Sequence, residues 1–90
     1  MDEHKFDDQI KKIREVSQKV EGILGTEKCF IRKSGMKYHV ELHATVDATI
    51  TVKEGHELAH ILKDKLRAEI IELGHVLIHI EPNEWINSIS

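Results

Sequence analysis

The chain has 90 residues, a length that supports one small domain with a single core. Its formal net charge of −3 argues against a nucleic-acid partner, because binding to a phosphate backbone requires a basic surface. Aromatic residues make up 4% of the sequence, too few for platforms on which bases stack. The single cysteine excludes an internal disulfide and fits a reducing compartment. The apolar runs are too short to span a bilayer, so we expect no direct membrane insertion.

The first predicted element is an amphipathic helix that begins near Phe6 and stops near Gly22 and Gly25. Its apolar residues recur at spacings of three and four, which places them on one helix face: Phe6, Ile10, Ile13, Val16, Val20 and Leu24. Asp7 and Asp8 lie in the first turn, where acidic side chains interact favourably with the helix dipole. Glycine tolerates the left-handed conformation that ends many helices, so the two glycines mark the stop.

Two predicted strands follow, joined by a tight turn at Ser34 and Gly35. The first covers residues 27–33, and the second shows strict alternation from Met36 to Thr49. One side of the second strand is apolar apart from its tyrosine: Tyr38, Val40, Leu42, Ala44 and Val46. The other side is polar: His39, Glu41, His43, Thr45 and Asp47.

A second helix and a last strand complete the predicted domain. Thr51 and Glu54 match a capping box, in which each side chain binds the other residue's free amide. The predicted core face of this helix consists of Val52, Gly55, Leu58, Ala59, Leu62 and Leu66, and a separate stripe carries His56, His60, Lys63 and Arg67. The last strand covers residues 75–81 and alternates Val76, Ile78 and Ile80 with His75, Leu77, His79 and Glu81. Pro82 ends it, because proline has no amide hydrogen for a strand ladder.

The order α-β-β-α-β predicts an α+β fold in the form of a two-layer sandwich. Both helices would cover one face of the sheet and leave the other face open. No repeat or linker divides the sequence, so residues 1–90 are predicted to form a single domain. Its core covers about residues 6–82, and residues 83–90 form a C-terminal tail.

Seven histidines are the unusual feature of the composition. A zinc or similar ion is held by three or four His, Cys, Asp or Glu side chains that converge from different elements. Alternate residues of a strand share a face, so Glu41 and His43 point the same way, as do His79 and Glu81. The polar faces of the two strands therefore each offer a pair of possible ligands.

His56 and His60 add a third pair, one turn apart on the second helix. The pairs would converge if the strand ends and the start of this helix meet at one rim of the domain. The predicted metal ligands are then His43, His56, His79 and Glu81, with Glu27 and His60 as further candidates.

Residues 56–60 also spell H-E-x-x-H, the zinc-binding sequence of many metalloproteases. Such an enzyme needs this helix buried beside a cleft, together with a third ligand. A domain of this size with two short helices cannot build that cleft, so the protease hypothesis is set aside.

A simpler interpretation is that exposed histidines are solvated surface side chains. We expect this for His4 near the chain end, and for His39 and His75, which are solvated or paired with neighbouring acids. Cys29 is expected to be a small, half-buried residue rather than a thiolate ligand.

Taken in unbroken order over about residues 8–82, four segments resemble the C-terminal cytoplasmic domain of cation diffusion facilitator transporters. The segments are Arg32-Lys33-Ser34-Gly35, Val40-Glu41-Leu42-His43, Gly55-His56-Glu57-Leu58-Ala59 and Val76-Leu77-Ile78-His79-Ile80-Glu81-Pro82. The resemblance implies a metallochaperone-like (ferredoxin-like) fold and a V-shaped homodimer that binds divalent metal, usually zinc, near its interface. Binding would bring the two subunits together and activate metal efflux through a transmembrane domain that this chain lacks.

The resemblance also implies site residues and a location. It assigns metal ligands to His43, His56 and His79 and adds Glu81, whereas His60 matches no ligand position. Glu27 stands where zinc-binding relatives often have histidine, and its harder oxygen also admits manganese, cobalt or iron. Cadmium is a further divalent ion that the predicted site could hold. The expected location is the cytoplasmic side of the cell membrane, as part of an integral membrane transporter. We expect an excised domain rather than a free-standing relative.

Two other classes of function remain open from the residues alone. One is a structural dimerisation module whose histidines are incidental, and the other is a small metal-dependent enzyme. The sequence offers no evident substrate pocket, glycine-rich loop or isolated nucleophile, so we expect no enzyme. Aliphatic contacts are expected to form the dimer, with Leu77, Trp85 and Ile86 as candidates.

Overall fold

The computed structural model describes residues 5–83, and its elements follow the predicted order. They are α1 (Asp7–Ser17), β1 (Gly25–Ser34), β2 (Lys37–Val46), α2 (Val52–Glu69) and β3 (Leu73–Pro82). The predicted α+β class is therefore confirmed. Trp85, Ile86 and His4 lie outside the described residues. Within residues 5–83, neither helix combines the length and the apolar character that crossing a bilayer requires.

The three strands form one mixed sheet in the order β1-β2-β3. β1 and β2 are antiparallel and are joined by the two residues Gly35 and Met36. Gly35 has a φ of 61°, while Met36 does not have a positive φ, the combination found in a type II′ hairpin turn. β2 and β3 are parallel, so the chain must cross over between them, and α2 makes that crossover.

Both helices pack on one face of the sheet, as the sequence predicts. The alternation of β2 directs its apolar side chains toward α1 and α2, and the resulting core is fully or almost fully buried: Ile13, Val16, Val40, Leu42, Ala44, Val46, Leu62, Leu66 and Val76. Burial of this apolar surface stabilises the two-layer arrangement. The other face carries the polar side chains of β2 and β3 and is not covered by either helix.

Helix α1 is shorter than its apolar spacing predicts, because it ends at Ser17 rather than near Gly22. The amides of Lys19 and Val20 donate to carbonyls three residues earlier, and such bonds tighten the last turn and end the helix. The predicted core position of Leu24 is wrong, since this side chain is 58% exposed.

Helix α2 begins with the predicted capping box. The Thr51 hydroxyl accepts from the Glu54 amide at 3.0 Å, and the Glu54 carboxylate accepts from the Thr51 amide at 2.8 Å. The predicted core position of Val52 is wrong, because this first helical residue is 91% exposed. Contact with the sheet starts one turn later at Gly55, where an added Cβ would lie 3.6 Å from Ile80 Cγ2.

The second strand ends at Val46, three residues before the predicted end at Thr49. An Asp47 side-chain oxygen accepts from the Thr49 amide at 2.8 Å and from the Thr49 hydroxyl at 2.6 Å. A local bond of this kind stabilises a turn in place of the strand ladder. The same bonds hold the pKa of the Asp47 carboxyl below its ordinary value.

Candidate metal centre

The open face of the sheet gathers acidic and histidine side chains from β2 and β3. In the parallel register His43 lies beside His79, and Thr45 lies beside Glu81. Glu41 precedes His43 by two residues on the same strand, so its side chain points to the same face. Strand alternation and register together place Glu41, His43, His79 and Glu81 on the open face.

Three of these side chains form a compact cluster, which we call the sheet triad: Glu41, His43 and His79. Glu41 Oε2 lies 2.8 Å from His79 Nε2 and 3.8 Å from His43 Nε2. The two imidazole rings stack with centroids 4.5 Å apart and an interplanar angle of 19°. One ligand atom from each residue lies within 4.8 Å of the other two.

Glu81 contacts the triad through the Nδ1 atom of His43. Its Oε2 lies 2.6 Å from His43 Nδ1. Because an ionised carboxylate can only accept, Nδ1 is the donor, and the lone pair of the ring is left on Nε2, which faces Glu41. A carboxylate in this position orients a ligand histidine and raises its basicity.

The donor set of the triad fits a divalent ion. Two imidazole nitrogens and one carboxylate oxygen are the ligands of many three-residue zinc sites, in which the fourth position is left to water or another group. The same set suits other first-row divalent ions. The side chains of Glu41 and His79 are 45% and 41% exposed, so an ion can reach them from solvent, whereas His43 is 16% exposed. Phe30 of β1 lies edge-on to His43, with centroids 6.4 Å apart.

Three of the six predicted ligands lie elsewhere in the domain. His56 and His60 belong to α2, which packs on the opposite face of the sheet, and their Nε2 atoms lie 3.1 Å from each other. Glu27 is exposed at the irregular register of β1, where its backbone carbonyl accepts from Arg14 at 2.8 Å. The structure thus brings His43 and His79 together in the triad and places Glu81 against His43, and it does not bring His56, His60 or Glu27 into the triad.

Glu41 is not among the ligands predicted from the sequence, although it lies in the triad. The available signal was its two-residue spacing from His43, which places both on one strand face. The proximity of Glu41 to His79 could not be predicted from spacing along one strand, because it depends on how β3 aligns with β2.

The remaining candidates from the sequence take no part in the triad. His39 and His75 pair with each other, since the His75 amide donates to His39 Nδ1 at 3.1 Å. Cys29 is half-buried against the core, as predicted. Burial raises the pKa of its thiol, and the charge of Arg14 offsets part of that rise, so the thiol form is favoured at neutral pH.

The family model described as "Cation efflux protein, cytoplasmic domain" matches residues 7–83 of the chain. The chain belongs to this family. Among curated relatives, this cation efflux domain is 40% identical over 53 residues to the uncharacterized transporter YdbO of Bacillus subtilis, covering 59% of the chain and 18% of that protein. It is 28% identical over 74 residues to metal tolerance protein C1 of Arabidopsis thaliana, covering 82% of the chain and 16% of that protein. The chain therefore spans less than one fifth of the length of these relatives.

Solved structures of MamM CTD have the same fold as this cation efflux domain. One variant aligns with a TM-score of 0.84 at 20% identity, covering 87% of this chain and 98% of that chain. A nickel form of another MamM CTD variant aligns with a TM-score of 0.83 at 18% identity, covering 86% and 98%. The predicted metallochaperone-like α-β-β-α-β fold is confirmed.

Proposed function

We propose that this domain is the regulatory part of a cation efflux transporter. It binds a divalent metal ion, zinc in the first place, near a homodimer interface, and binding promotes a closed dimer that is active in transport. The observation that carries this proposal is the convergence of Glu41, His43 and His79 on the open face of the sheet. Membership of the cation efflux family supports the transporter context, and the short name of the family model, ZT_dimer, supports the homodimer.

The charge of the site supplies a mechanism for closure. Glu41 and Glu81 lie on the same open face, and two protomers that present this face to each other bring four carboxylates together. Like charges at short range repel, which favours a splayed dimer in the absence of metal. A bound cation offsets this repulsion, so metal shifts the population toward the closed dimer.

The number of protein ligands in the triad also favours a metal site that is shared between the two protomers. Three protein ligands leave one position of a tetrahedral ion for water or for a further donor. A donor from the second protomer in that position would link the subunits through the metal itself. Glu81 would keep His43 oriented for binding whichever group completes the site.

Apolar side chains beside the triad support a dimer contact on this face. Leu77 of β3 pairs in register with Glu41 and is 44% exposed. Phe30 of β1 lies against His43 and is 56% exposed. Exposed apolar side chains next to a polar cluster are typical of surfaces that bind a partner. Trp85 and Ile86, the other predicted contacts, lie outside the described residues.

The partner implied by this function is the transmembrane domain of the same transporter. The domain would then work on the cytoplasmic side of the cell membrane, as a regulator without an enzyme activity of its own. Manganese, cobalt, iron and cadmium remain alternatives to zinc, since the triad combines a hard oxygen with borderline nitrogens. The existence of nickel and cadmium forms of MamM CTD variants supports testing several ions.

The test is an isothermal titration of the metal-free domain with zinc, combined with small-angle scattering of the same samples. We expect zinc to bind and the radius of gyration of the dimer to decrease. Glu41→Gln and His79→Ala should each weaken zinc binding at least about tenfold, because each removes a direct ligand. His75→Ala is the matched control, since His75 is an exposed histidine outside the triad.

The outcomes separate the parts of the proposal. Zinc affinity that is unchanged in both triad variants would overturn the site. Zinc binding without compaction would leave the site and overturn the closure mechanism. If the domain forms a dimer but binds none of the tested ions, it is a structural dimerisation module instead.

A further inference from the structure

The turn of the β1–β2 hairpin carries a run of exposed positive charge. We define the hairpin tip as residues 32–37, with the sequence RKSGMK, and all six residues are exposed. They lie within the longest segment without an acidic residue, residues 28–40, which holds four of the 13 basic residues of a chain whose net charge is −3. We propose that the hairpin tip is a peripheral contact site for an anionic membrane surface.

The three charges of the hairpin tip are not paired with carboxylates. Within residues 5–83, no basic side chain of the tip forms an ion pair with Asp or Glu. Lys37 Nζ donates instead to the backbone carbonyl of Ile71 at 3.2 Å, and Lys33 Nζ lies 5.8 Å from the centroid of the Tyr38 ring. Glu72 adjoins the hairpin, where its backbone carbonyl accepts from the Tyr38 amide at 2.9 Å. One carboxylate does not neutralise three cations, so the tip attracts an anionic partner.

The arrangement of the tip fits a flat partner. Lys33 shares the strand alternation of Ile31, which packs against the core, so it points to the helix-bearing side of the sheet. Arg32 alternates with Lys33 and points to the open side, as Phe30 does. Met36 in the turn is 88% exposed. A partner bound to one side of the hairpin would contact only part of this set, whereas a flat surface that meets the tip end-on contacts all of it.

A bilayer that contains anionic lipids supplies such a surface. Basic side chains near its phosphates are attracted electrostatically, and an apolar side chain beside them can enter the boundary between headgroups and acyl chains. Arg32, Lys33 and Lys37 would bind the headgroups, and Met36 would lie among them. The contact is peripheral and involves no membrane-spanning segment. The inference rests on the proposed function in one respect, namely that a domain of a cation efflux transporter works beside a membrane.

The strength of the contact suits a tethered domain. Each basic residue near an anionic membrane raises the partition coefficient about fivefold, so three of them bind the free domain only weakly. When the domain is joined to a protein within the membrane, the effective concentration of the surface is high and a weak contact becomes populated. The tip then fixes the orientation of β2, which starts in this hairpin and carries Glu41 and His43.

Lipid binding and metal binding would use different side chains. Lys37 begins β2 and precedes Glu41 by four residues, which corresponds to about 13 Å along an extended strand. Lys33 points to the side of the sheet opposite to the triad. Arg32 is less suitable for substitution, because it pairs in register with His39, two residues from Glu41. Lys33 and Lys37 are therefore the residues to change.

The experiment is cosedimentation of the 90-residue chain with vesicles of phosphatidylserine and phosphatidylcholine in equal amounts. At about 0.01 M salt, where the Debye length is about 30 Å, the wild-type chain should bind these vesicles, and about 1 M salt should release it. Vesicles of phosphatidylcholine alone should not retain it. Lys33→Gln with Lys37→Gln should lower the partition coefficient about 25-fold, because two contributions of about fivefold are lost. The amide resonances of residues 32–37 should broaden when the mixed vesicles are added.

The matched control is Lys11→Gln with Lys12→Gln. Lys11 and Lys12 are exposed neighbours on α1, so this variant changes the net charge by the same amount as the hairpin variant. It should bind the mixed vesicles nearly as the wild type does, since these lysines lie outside the hairpin tip. An equal loss in both double variants would show attraction through net charge alone and would overturn the inference.

The remaining outcomes distinguish other partners and separate this inference from the proposed function. Unchanged vesicle binding in the hairpin variant, or equal binding to vesicles of phosphatidylcholine alone, would overturn the inference. If the mixed vesicles leave the amides of the tip unchanged while polyglutamate shifts them, the tip binds an acidic protein segment and the membrane proposal fails. The hairpin variant should keep the zinc affinity of the wild type. If it loses vesicle binding while the wild-type domain binds no zinc, this inference stands and the proposed metal site fails.

Discussion

At the scale of single residues, the triad depends on which nitrogen of His43 is free. Glu81 accepts from Nδ1 at 2.6 Å and so directs the lone pair of Nε2 toward Glu41. Glu81, not Glu41, is among the ligands predicted from the sequence. In the structure Glu41 lies in the cluster with His43 and His79, and Glu81 accepts from His43 Nδ1. Spacing along a strand identifies shared faces, but it does not show which of two carboxylates lies in one cluster with both histidines.

Two substitutions of Glu81 distinguish these roles. Glu81→Ala removes the acceptor from His43 Nδ1 and should weaken zinc binding about 10- to 100-fold. Glu81→Gln retains an oxygen that can accept from Nδ1, so it should keep most of the affinity. Calorimetric titration of both variants measures the difference, with Glu72→Gln as an exposed control outside the triad. If Glu81 is itself a ligand, Glu81→Gln and Glu81→Ala will weaken zinc binding by about the same factor.

Cys29 allows a second prediction at this scale. Because burial raises the pKa of its thiol, the folded protein should contain less thiolate than the unfolded chain at mildly alkaline pH. Alkylation by iodoacetamide at mildly alkaline pH should therefore be slower in the native domain than in urea. As the pH rises past the ordinary thiol value, the unfolded thiol loses its proton first, so the free energy of unfolding should fall. Equal alkylation rates in the two states would contradict the prediction.

At the scale of elements, local signals marked where α2 begins more accurately than where α1 ends. The capping box at Thr51 and Glu54 uses two side chains close in sequence, so it can be read without knowledge of the fold. The end of α1 at Ser17 was missed, because apolar spacing continues through Val20, which is buried although it is not helical. Apolar spacing misplaces Val52 as well. The spacing assigns this residue to the core face, but its position at the start of α2 leaves its side chain in solvent.

The capping box and the exposed first turn of α2 predict how two substitutions change the free energy of unfolding. Thr51→Ala should lower the free energy of unfolding by about 1 kcal/mol, because the Glu54 amide loses its acceptor. In a domain of this size that corresponds to a melting temperature lower by roughly 4–8 °C. Val52→Ala, one residue further, should change stability by less than about 0.5 kcal/mol, since Val52 is 91% exposed. Thermal unfolding followed by circular dichroism measures both, and a larger loss in Val52→Ala would contradict the assignment of that side chain to solvent.

At the scale of the whole molecule, the two layers divide the histidines between separate surfaces. The sheet presents His43 and His79 on its open face, while α2 presents His56 and His60 on the other layer. The resemblance to cation diffusion facilitators implied ligands in both groups. In the structure His56 and His60 do not join the cluster of Glu41, His43 and His79.

The open face also gives a prediction about assembly. Leu77→Lys should weaken the homodimer by roughly tenfold or more, because a charge replaces an exposed apolar side chain beside the triad. Ile71→Lys is the matched control, since Ile71 is 79% exposed in the connection between α2 and β3. Sedimentation velocity over a range of concentrations measures both variants. Equal dimerisation by the wild type and Leu77→Lys would place the interface elsewhere on the domain.

Local patterns in the sequence determined the order of the elements, the two faces of β2 and the capping box of α2. These features depend on residues within one turn of a helix or a few residues of a strand, and their physical cause lies in backbone periodicity. The resemblance over residues 8–82 added the family. None of this required knowledge of how distant segments meet.

The tertiary structure alone decided which of the candidate ligands lie together. The parallel register that sets His43 beside His79 is a contact between residues 36 positions apart, and a shift of one residue would direct one of them into the core. The pairing of Glu41 with His79 and of Glu81 with His43 follows from that register. His56 and His60 lie outside the triad because α2, which carries them, packs through Leu62 and Leu66 on the apolar face of the sheet.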